Sequence, residues 1–357
     1  MSAAVLSIAT ALPKHRLDAG EALARLRRFY PQLDRLEEAG AALGTRYTSE
    51  PVDELLAPRD LTALSRSYLA HAKSLALESA RRALAGAGFS GRDVDLVITV
   101  SCTGYLVPSL DVHMAGELGL RPDVLRLPIT ELGCSAGAAA LAAAQRHLAG
   151  FPNQRVLVVA VEIPSLSFQR ADRSLDHLTA CLVFGDGAGA AVVGAPDPGS
   201  DRLEIVRSAS HLVPGTADML GFDLREGGFH VVLDRRLPRV VRTHLKTVVR
   251  GFMPEAGFYA VHAAGPRIFN EVEAALDLPA GALDTSRQVF AEVGNTSSAA
   301  IFFVLEKLMS QPELPRADGL GLGLGPGVTV ELMRLRAVMN RSQKPARSSP
   351  VPTQALA

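Results

Sequence analysis

The chain has 357 residues, more than one ordinary core needs and enough for two packed units. It is 48% hydrophobic and 21% charged, and 37 Lys plus Arg balance 37 Asp plus Glu, so there is no electrostatic footprint for nucleic acid. Three cysteines with no CxxC pair argue against a disulfide framework or a zinc site, and no stretch approaches the roughly 20 apolar residues of a membrane span.

The N-terminal "MSAAVLSIATALPKHRL" has an apolar run with no basic residue before it, which predicts a first strand rather than a signal peptide and a cytoplasmic setting. "LTALSRSYLAHAKSLALESARRALAGAGF" carries apolar residues at helical spacing and stops near Gly86 and Gly88. "VDLVITVSCTG" is a buried strand, "CSAGAAALAAAQRHLAG" an alanine-rich helix, and "QRVLVVAVEI" a second buried strand. "CLVFGDGAGAAVVGA" wraps apolar residues around a glycine turn. The alternation then recurs, with "RVVRTHLKTVVRGFM" helical, "GFYAVHAAG" a strand, "NTSSAAIFFVLEKLMS" a helix and "VTVELMRLR" a closing strand. Such alternation predicts an α/β protein with largely parallel central sheets. The last residues, rich in Ser, Pro, Gln and Arg, are expected to be a disordered tail over 337–357.

Two separated blocks share one offset. "ELGCSAGA" at 131–138 aligns with "EVGNTSSA" at 292–299, and "VSCTG" at 100–104 aligns with "VHAAG" at 261–265. His262 thus matches Ser101 and Asn295 matches Cys134, each 161 positions on (262 − 101 and 295 − 134). Chance similarity between small-residue segments is one reading. A duplicated α/β unit is the sharper one, with halves over 1–197, carrying Cys134, and 198–336, carrying His262 and Asn295. A two-fold packing of such units would gather Ser101, Cys134, His262 and Asn295 at one pocket.

Three of those four suit thiol chemistry. A free thiol, with a pKa of about 8.5, is mostly protonated at neutral pH, and a helix N-terminus or a neighbouring imidazolium lowers that value. Cys134 opens a predicted helix and His262 is a base within the same constellation. An asparagine amide and a protonated imidazole nitrogen can both hold a developing oxyanion. Gly133, Ser135, Ala136 and Gly137 leave room for a substrate carbonyl beside the sulfur. Cys102 and Cys181 are expected to be small buried hydrophobes. Asn295 is also placed to cap its helix. "GLGLGPG" at 321–327 is followed by a strand, not a helix, so it is not a phosphate loop.

The segments "GCSAG", "VFGDGAGAAVV", "VHAAGPRI", "VGNTSSA" and "GLGLGPGVTVE" resemble those of the type III polyketide synthases, the chalcone synthase family. The resemblance covers roughly residues 1–336. It implies the thiolase fold, two duplicated halves in an αβαβα layered arrangement, as a homodimer. It implies acyl-CoA and malonyl-CoA as substrates, with no metal or tightly held cofactor. On it, Cys134 is the acylated nucleophile, and His262 and Asn295 assist decarboxylation. Phe184 guards the passage between CoA tunnel and cavity, Ser297 lies on the cavity wall, and Gly323, Gly325, Pro326 and Gly327 shape its floor. Plant members carry several basic residues at the N-terminal CoA site; "LGTRYTSEP" has only Arg46, and Arg267 is a further candidate. Val107 stands where plant members insert a methionine into the partner's cavity. Phe222 stands for a cavity glycine, and with Phe229 is expected to line the pocket. "PSLSFQRADRSLDHL" and "GFDLREGGFHVVL" are similar to bacterial members that make alkylpyrones or alkylresorcinols from fatty acyl-CoA.

Three alternatives stay open. Ketoacyl synthase III enzymes share the Cys, His, Asn set, although "GPR" after His262 and "GPGVTVE" favour the polyketide synthase. A papain-like thiol hydrolase orders the same residue types but has no place for a duplication. A non-catalytic subunit would not need the intact triad.

Overall fold

A computed structural model describes residues 3–28, 30, 44–195, 202–225, 227–311 and 317–338. The expected tail falls beyond these residues from 339 on, and the closing strand runs through Val338.

The first half contains β1 (Ala3–Ala11), β2 (His15–Asp18), α1 (Ala19–Arg27), β3 (Thr45–Thr48), α2 (Val52–Leu55), α3 (Leu61–Gly86), β4 (Leu96–Val100), α4 (Leu110–Leu118), β5 (Leu125–Ile129), α5 (Ala136–Gly150), β6 (Val156–Glu162), α6 (Leu175–Val183) and β7 (Gly187–Gly194). The second contains β8 (Arg202–Leu212), the hairpin strands β9 (Leu220–Arg225) and β10 (Gly228–Leu233), α7 (Leu237–Phe252), β11 (Tyr259–Val261), α8 (Pro266–Leu276), α9 (Asp284–Val293), α10 (Ala300–Met309), β12 (Asp318–Gly325) and β13 (Thr329–Val338).

Nine strands form one continuous sheet in the order β11-β12-β13-β8-β1-β7-β6-β4-β5. The duplication is visible in it. From its outer edge inward, the first half runs third, second, fourth, fifth, first in its own strand sequence; the second half, with four strands, runs second, third, fourth, first, the same path without the first half's edge strand β5. In each half the outer neighbours are parallel (β4 with β5 and β6; β11 with β12) and the inner ones antiparallel (β7 with β6 and β1; β13 with β12 and β8). The halves join where β1 and β8 pair, Ala4 opposite Glu204.

The sheet is therefore mixed, not largely parallel as the alternation predicted. The misreading has a simple cause. A strand covered by helices on both faces is apolar throughout whichever way its neighbour runs, and β4, β6 and β7 are buried at every position.

Helices α5 and α10 pack against each other and form the middle layer. Helix α5 touches β4 and β6 of one half and β8 and β12 of the other, while α10 touches β1, β7 and β11. Their sequences fit this double cover. Helix α5 is built from alanine, and every residue from Ala300 to Leu305 in α10 is buried, as expected of a helix apolar all round. Helices α3 and α4 cover the outer face of the first half. Helices α7 and α8 pack as a pair, with α7 also on β13.

Close approach of the two central helices requires the small residues after Cys134. A Cβ on Gly137 would lie 2.0 Å from the Ser298 carbonyl oxygen. At Gly133, φ is +52° and a Cβ would meet the Pro326 ring at 2.5 Å. The Cys134 turn is thus pressed between the glycine-proline loop and the start of the second half's helix.

Candidate active site

Each half sends one strand end and one helix start to the same place. Ser101 follows β4 and His262 follows β11. Cys134 sits in a 3-10 turn, Gly133–Ser135, that leads into α5, and a similar turn, Ser297–Ala299, leads into α10. Both helices therefore start slightly later than periodicity predicts, with Cys134 inside the turn before α5 and Asn295 two residues ahead of the turn before α10.

Cys134, His262 and Asn295 all line one cavity of about 290 Å³. The cavity runs past Val183, Phe184, Leu220, Val241 and Ile268 to a mouth that includes Arg235 and Arg267. Ser101 does not join them. Its hydroxyl accepts from Tyr68 (2.6 Å) and donates to Glu162 (3.3 Å) behind the cavity.

His262 is 1% exposed, and its backbone N–H donates to the Leu322 carbonyl at 2.8 Å. Burial lowers its imidazole pKa to about 4, and Nδ1 has no hydrogen-bond partner among the described residues. Burial pushes the Cys134 thiol up to about 12, partly opposed by the Ser297 hydroxyl 3.2 Å from its sulfur. Burial thus disfavours the charged form of both groups, against the pull toward a thiolate that a helix start and an imidazolium would exert. A neutral imidazole is a base that can take the thiol proton as the sulfur attacks.

Asn295 is fixed by both ends of its amide. Oδ1 accepts from the Ser297 N–H at 2.9 Å, which caps the turn before α10. Nδ2 donates to the Ala264 carbonyl at 3.3 Å, which leaves its second hydrogen for a ligand. Asn295 also forms a parallel bridge with Phe184, which ties the two residues to one strip of backbone.

Beyond Cys134 lies a smaller chamber of about 20 Å³, lined by Cys102, Cys134, Phe184, Phe222, Ser297 and Pro326 among others. Phe184 and Cys134 border both spaces. Gly325 lines the larger cavity and Pro326 the chamber. Phe229 does not reach the chamber wall. It stacks edge-on against Phe222, with ring centroids 5.7 Å apart, and so supports that wall from behind. A third, apolar cavity of about 90 Å³ shares Pro164, Phe184 and Val231 with the chamber and includes Leu26, Leu55, Phe168 and Cys181.

Two expectations need correction. Arg46 does not face a CoA phosphate. It is 3% exposed, its guanidinium donates to the carbonyls of Leu182, Thr45 and Phe290, and it stacks 4.6 Å above the Phe290 ring. Burial lowers its pKa to about 10. Its role is to tie β3 to α6 and α9. Cys102 is more than an inert hydrophobe, because its sulfur lies 3.4 Å from both the Ser297 hydroxyl and Glu162. Cys181 lines the apolar cavity, 3.5 Å from His177 Nε2. Val107 is 80% exposed and lines none of the three spaces. Arg267 is exposed at the cavity mouth.

Glu162 escaped the sequence reading. It is fully buried and accepts from the Cys102 and Thr103 N–H groups (3.0 and 3.1 Å) and the Thr103 hydroxyl (2.7 Å). The Ser298 hydroxyl donates to it as well, so Glu162 joins the chain after β4 to the helix start beyond Asn295. Burial raises its pKa, opposed chiefly by the Ser298 and Thr103 hydrogen bonds. The available signal was a lone acid in the apolar "VLVVAVEI". Among the described residues no cluster of three His, Cys, Asp or Glu could hold a metal, and no helix is long and apolar enough to cross a membrane.

The chain matches the family models "Chalcone and stilbene synthases, N-terminal domain" over residues 57–198 and "C-terminal domain" over 204–339. It is 36% identical to the 1,3,6,8-tetrahydroxynaphthalene synthase of Streptomyces peucetius subsp. caesius, over 93% of this chain and 92% of that one. It is 28% identical to the alpha-pyrone synthesis polyketide synthase-like Pks18 of Mycobacterium tuberculosis, over 93% and 90%. The crystal structure of the tetrahydroxynaphthalene synthase of Streptomyces coelicolor A3(2), a bacterial type III polyketide synthase, superposes with a TM-score of 0.88 at 32% identity, covering 94% of this chain and 99% of that one.

Proposed function

The chain belongs to the chalcone and stilbene synthase family of type III polyketide synthases, with the thiolase fold, and from that premise we propose how its residues divide the work. The observation that carries the proposal is that Cys134 borders two spaces at once, the long cavity with His262 and Asn295 and the chamber beyond Phe184. Cys134 takes the starter acyl group from a CoA thioester as His262 accepts its proton. Malonyl-CoA then occupies the long cavity. The His262 imidazole and the free Asn295 amide hydrogen hold its thioester oxygen as carbon dioxide leaves, and the resulting enolate attacks the Cys134 thioester. A neutral imidazole carries one N–H to donate, and the proton taken from Cys134 passes on to the departing CoA thiolate. The extended chain returns to the sulfur and folds in the chamber for ring closure.

The starter is a fatty acyl group, and the product an alkylpyrone or alkylresorcinol. Support comes from the apolar 90 Å³ cavity, which shares three wall residues with the chamber and could take a thin alkyl tail worth about 0.8 kcal/mol per buried CH₂. A second reading is favoured by the chamber's size. At about 20 Å³ it has room for only one or two waters, which suits a starter with no tail and a ring-only product such as the name of the Streptomyces relatives describes. The enzyme acts as a homodimer in the cytoplasm, and exposed Val107 is the residue that reaches the partner.

The test is product mass from malonyl-CoA alone and with C6 to C16 acyl-CoA starters, for the natural chain and Phe222→Gly. Alkylated products that lengthen or admit bulkier starters in the variant support the first reading. Tail-free products from malonyl-CoA alone, with no use of acyl-CoA, support the second. Thioester hydrolysis without carbon–carbon bond formation would overturn both.

A further inference from the structure

The surface beside the cavity mouth carries charge that the chemistry inside does not use. The chain is neutral overall, yet residues 235–250 hold six cations, Arg235, Arg236, Arg239, Arg242, Lys246 and Arg250, and no carboxylate. Arg267 adds a seventh at the same mouth. Arg239, Arg242, Lys246 and Arg250 recur at spacings of three and four, which aligns them on one face of α7, apart from its buried stripe of Leu237, Val241, Leu245 and Val249.

Countercharges are fewer. Asp234 pairs with Arg236 (2.6 Å), Glu271 stands 3.8 Å from Arg242, and Asp277 is shared by Lys246 (2.7 Å) and Arg250 (3.4 Å). Asp176, also at the mouth, accepts from the Leu233 N–H. Among the described residues Arg235, Arg239 and Arg267 have no ion pair. The helix has no acid in its first turn and begins among arginines, where its dipole disfavours them. The unpaired Arg235, Arg239 and Arg267 add nothing by ion pairing to the fold, so a binding role is the better explanation for them.

CoA phosphates can use Arg235 and Arg267. The stripe from Arg239 to Arg250 is about 16 Å long at 1.5 Å per residue, and it adds to those two mouth arginines more surface than one nucleotide covers. Its partner must be acidic and extended, and must present a long thin thioester to a cavity that ends at Cys134. We propose that α7 docks the acidic helix of an acyl carrier protein, whose phosphopantetheine arm enters past Arg235 and Arg267 to deliver its acyl group to Cys134. The inference rests on the reading of Cys134 as the acyl-accepting nucleophile. In the transfer the Cys134 sulfur attacks the arm's thioester carbonyl. The new carbon–sulfur bond forms as the bond to the arm breaks, and the thiol proton passes through His262 to the departing arm thiolate.

The experiment compares loading of Cys134 from dodecanoyl-CoA and from dodecanoyl-phosphopantetheine on an acidic bacterial fatty-acid carrier protein. It uses the full chain and the double variant Arg239→Glu/Arg242→Glu, neither residue lining the cavity. Expected is carrier-dependent kcat/KM at least about tenfold lower in the variant, with CoA-dependent loading unchanged within about twofold. Carrier loading by the natural chain should also fall steeply as salt rises. The proposal is overturned if CoA loads Cys134 and the carrier does not, or if the variant slows both donors alike. It is also overturned if the stripe instead binds anionic phosphatidylglycerol vesicles without carrier loading. If neither donor loads Cys134, the functional reading itself falls and the docking proposal with it.

Discussion

Replacing His262 with glutamine should flatten part of the protein's acid sensitivity. Burial holds the His262 imidazole near a pKa of about 4, against 6.5 for the free side chain. Between those values the unfolded chain binds a proton that the folded chain refuses, so stability falls as pH drops through 6.5 toward 4, and little of it is lost above about pH 7. Integrating that difference gives about 2 kcal/mol lost by pH 5 and about 3 kcal/mol by pH 4. His262→Gln removes the titration while keeping a polar side chain of similar reach. Denaturant unfolding of both proteins at pH 7, 6 and 5 measures the effect. The gap between the two curves should shift by about 2 kcal/mol from pH 7 to pH 5, in the variant's favour. Parallel pH dependences would refute the claim that His262 is buried and neutral, and with it the view that the imidazole, not an imidazolium, meets the thiol.

The other expectations follow from single contacts. Asn295→Ala removes one oxyanion donor and should slow malonyl-CoA decarboxylation by about 10² to 10³ while affecting starter loading less, read as carbon dioxide release against acyl-enzyme formation. A normal decarboxylation rate would leave Asn295 as a turn cap alone. Glu162→Ala strands the Cys102 and Thr103 N–H groups in the interior and should cost about 3 kcal/mol in unfolding experiments, with Glu162→Gln milder because it keeps an acceptor. Gly137→Ala drives a methyl group against the Ser298 carbonyl and should lower Tm, at a cost of about 1 to 3 kcal/mol. An unchanged Tm would mean the two central helices can part without penalty.

The duplication was legible because the chemistry-bearing turns preserve it. The 161-residue offset placed His262 at a strand end and Asn295 before a helix, and both positions hold in the fold. Sheet polarity was not legible, since β6 and β7 look alike in sequence whether parallel or antiparallel. The Arg46 assignment failed because a motif position says nothing about direction. In the fold its guanidinium turns inward to three carbonyls. Cys102 and Glu162 were missed for a related reason. A buried thiol or carboxylate shows its significance only through partners distant in sequence, here Ser297 and Ser298. Phe229 was assigned to the wall by resemblance alone, and it packs against Phe222 one layer behind that wall, a distinction of depth that a motif position cannot make.

The central claim is that Cys134 carries the growing chain. It is tested by brief incubation with a starter acyl-CoA and malonyl-CoA, acid quench, digestion and peptide mass mapping. The account predicts starter and extended acyl masses on the peptide containing Cys134, and none on any peptide of Cys134→Ser. Acyl mass on the Cys102 or Cys181 peptide, persisting in Cys134→Ser together with product formation, would contradict it.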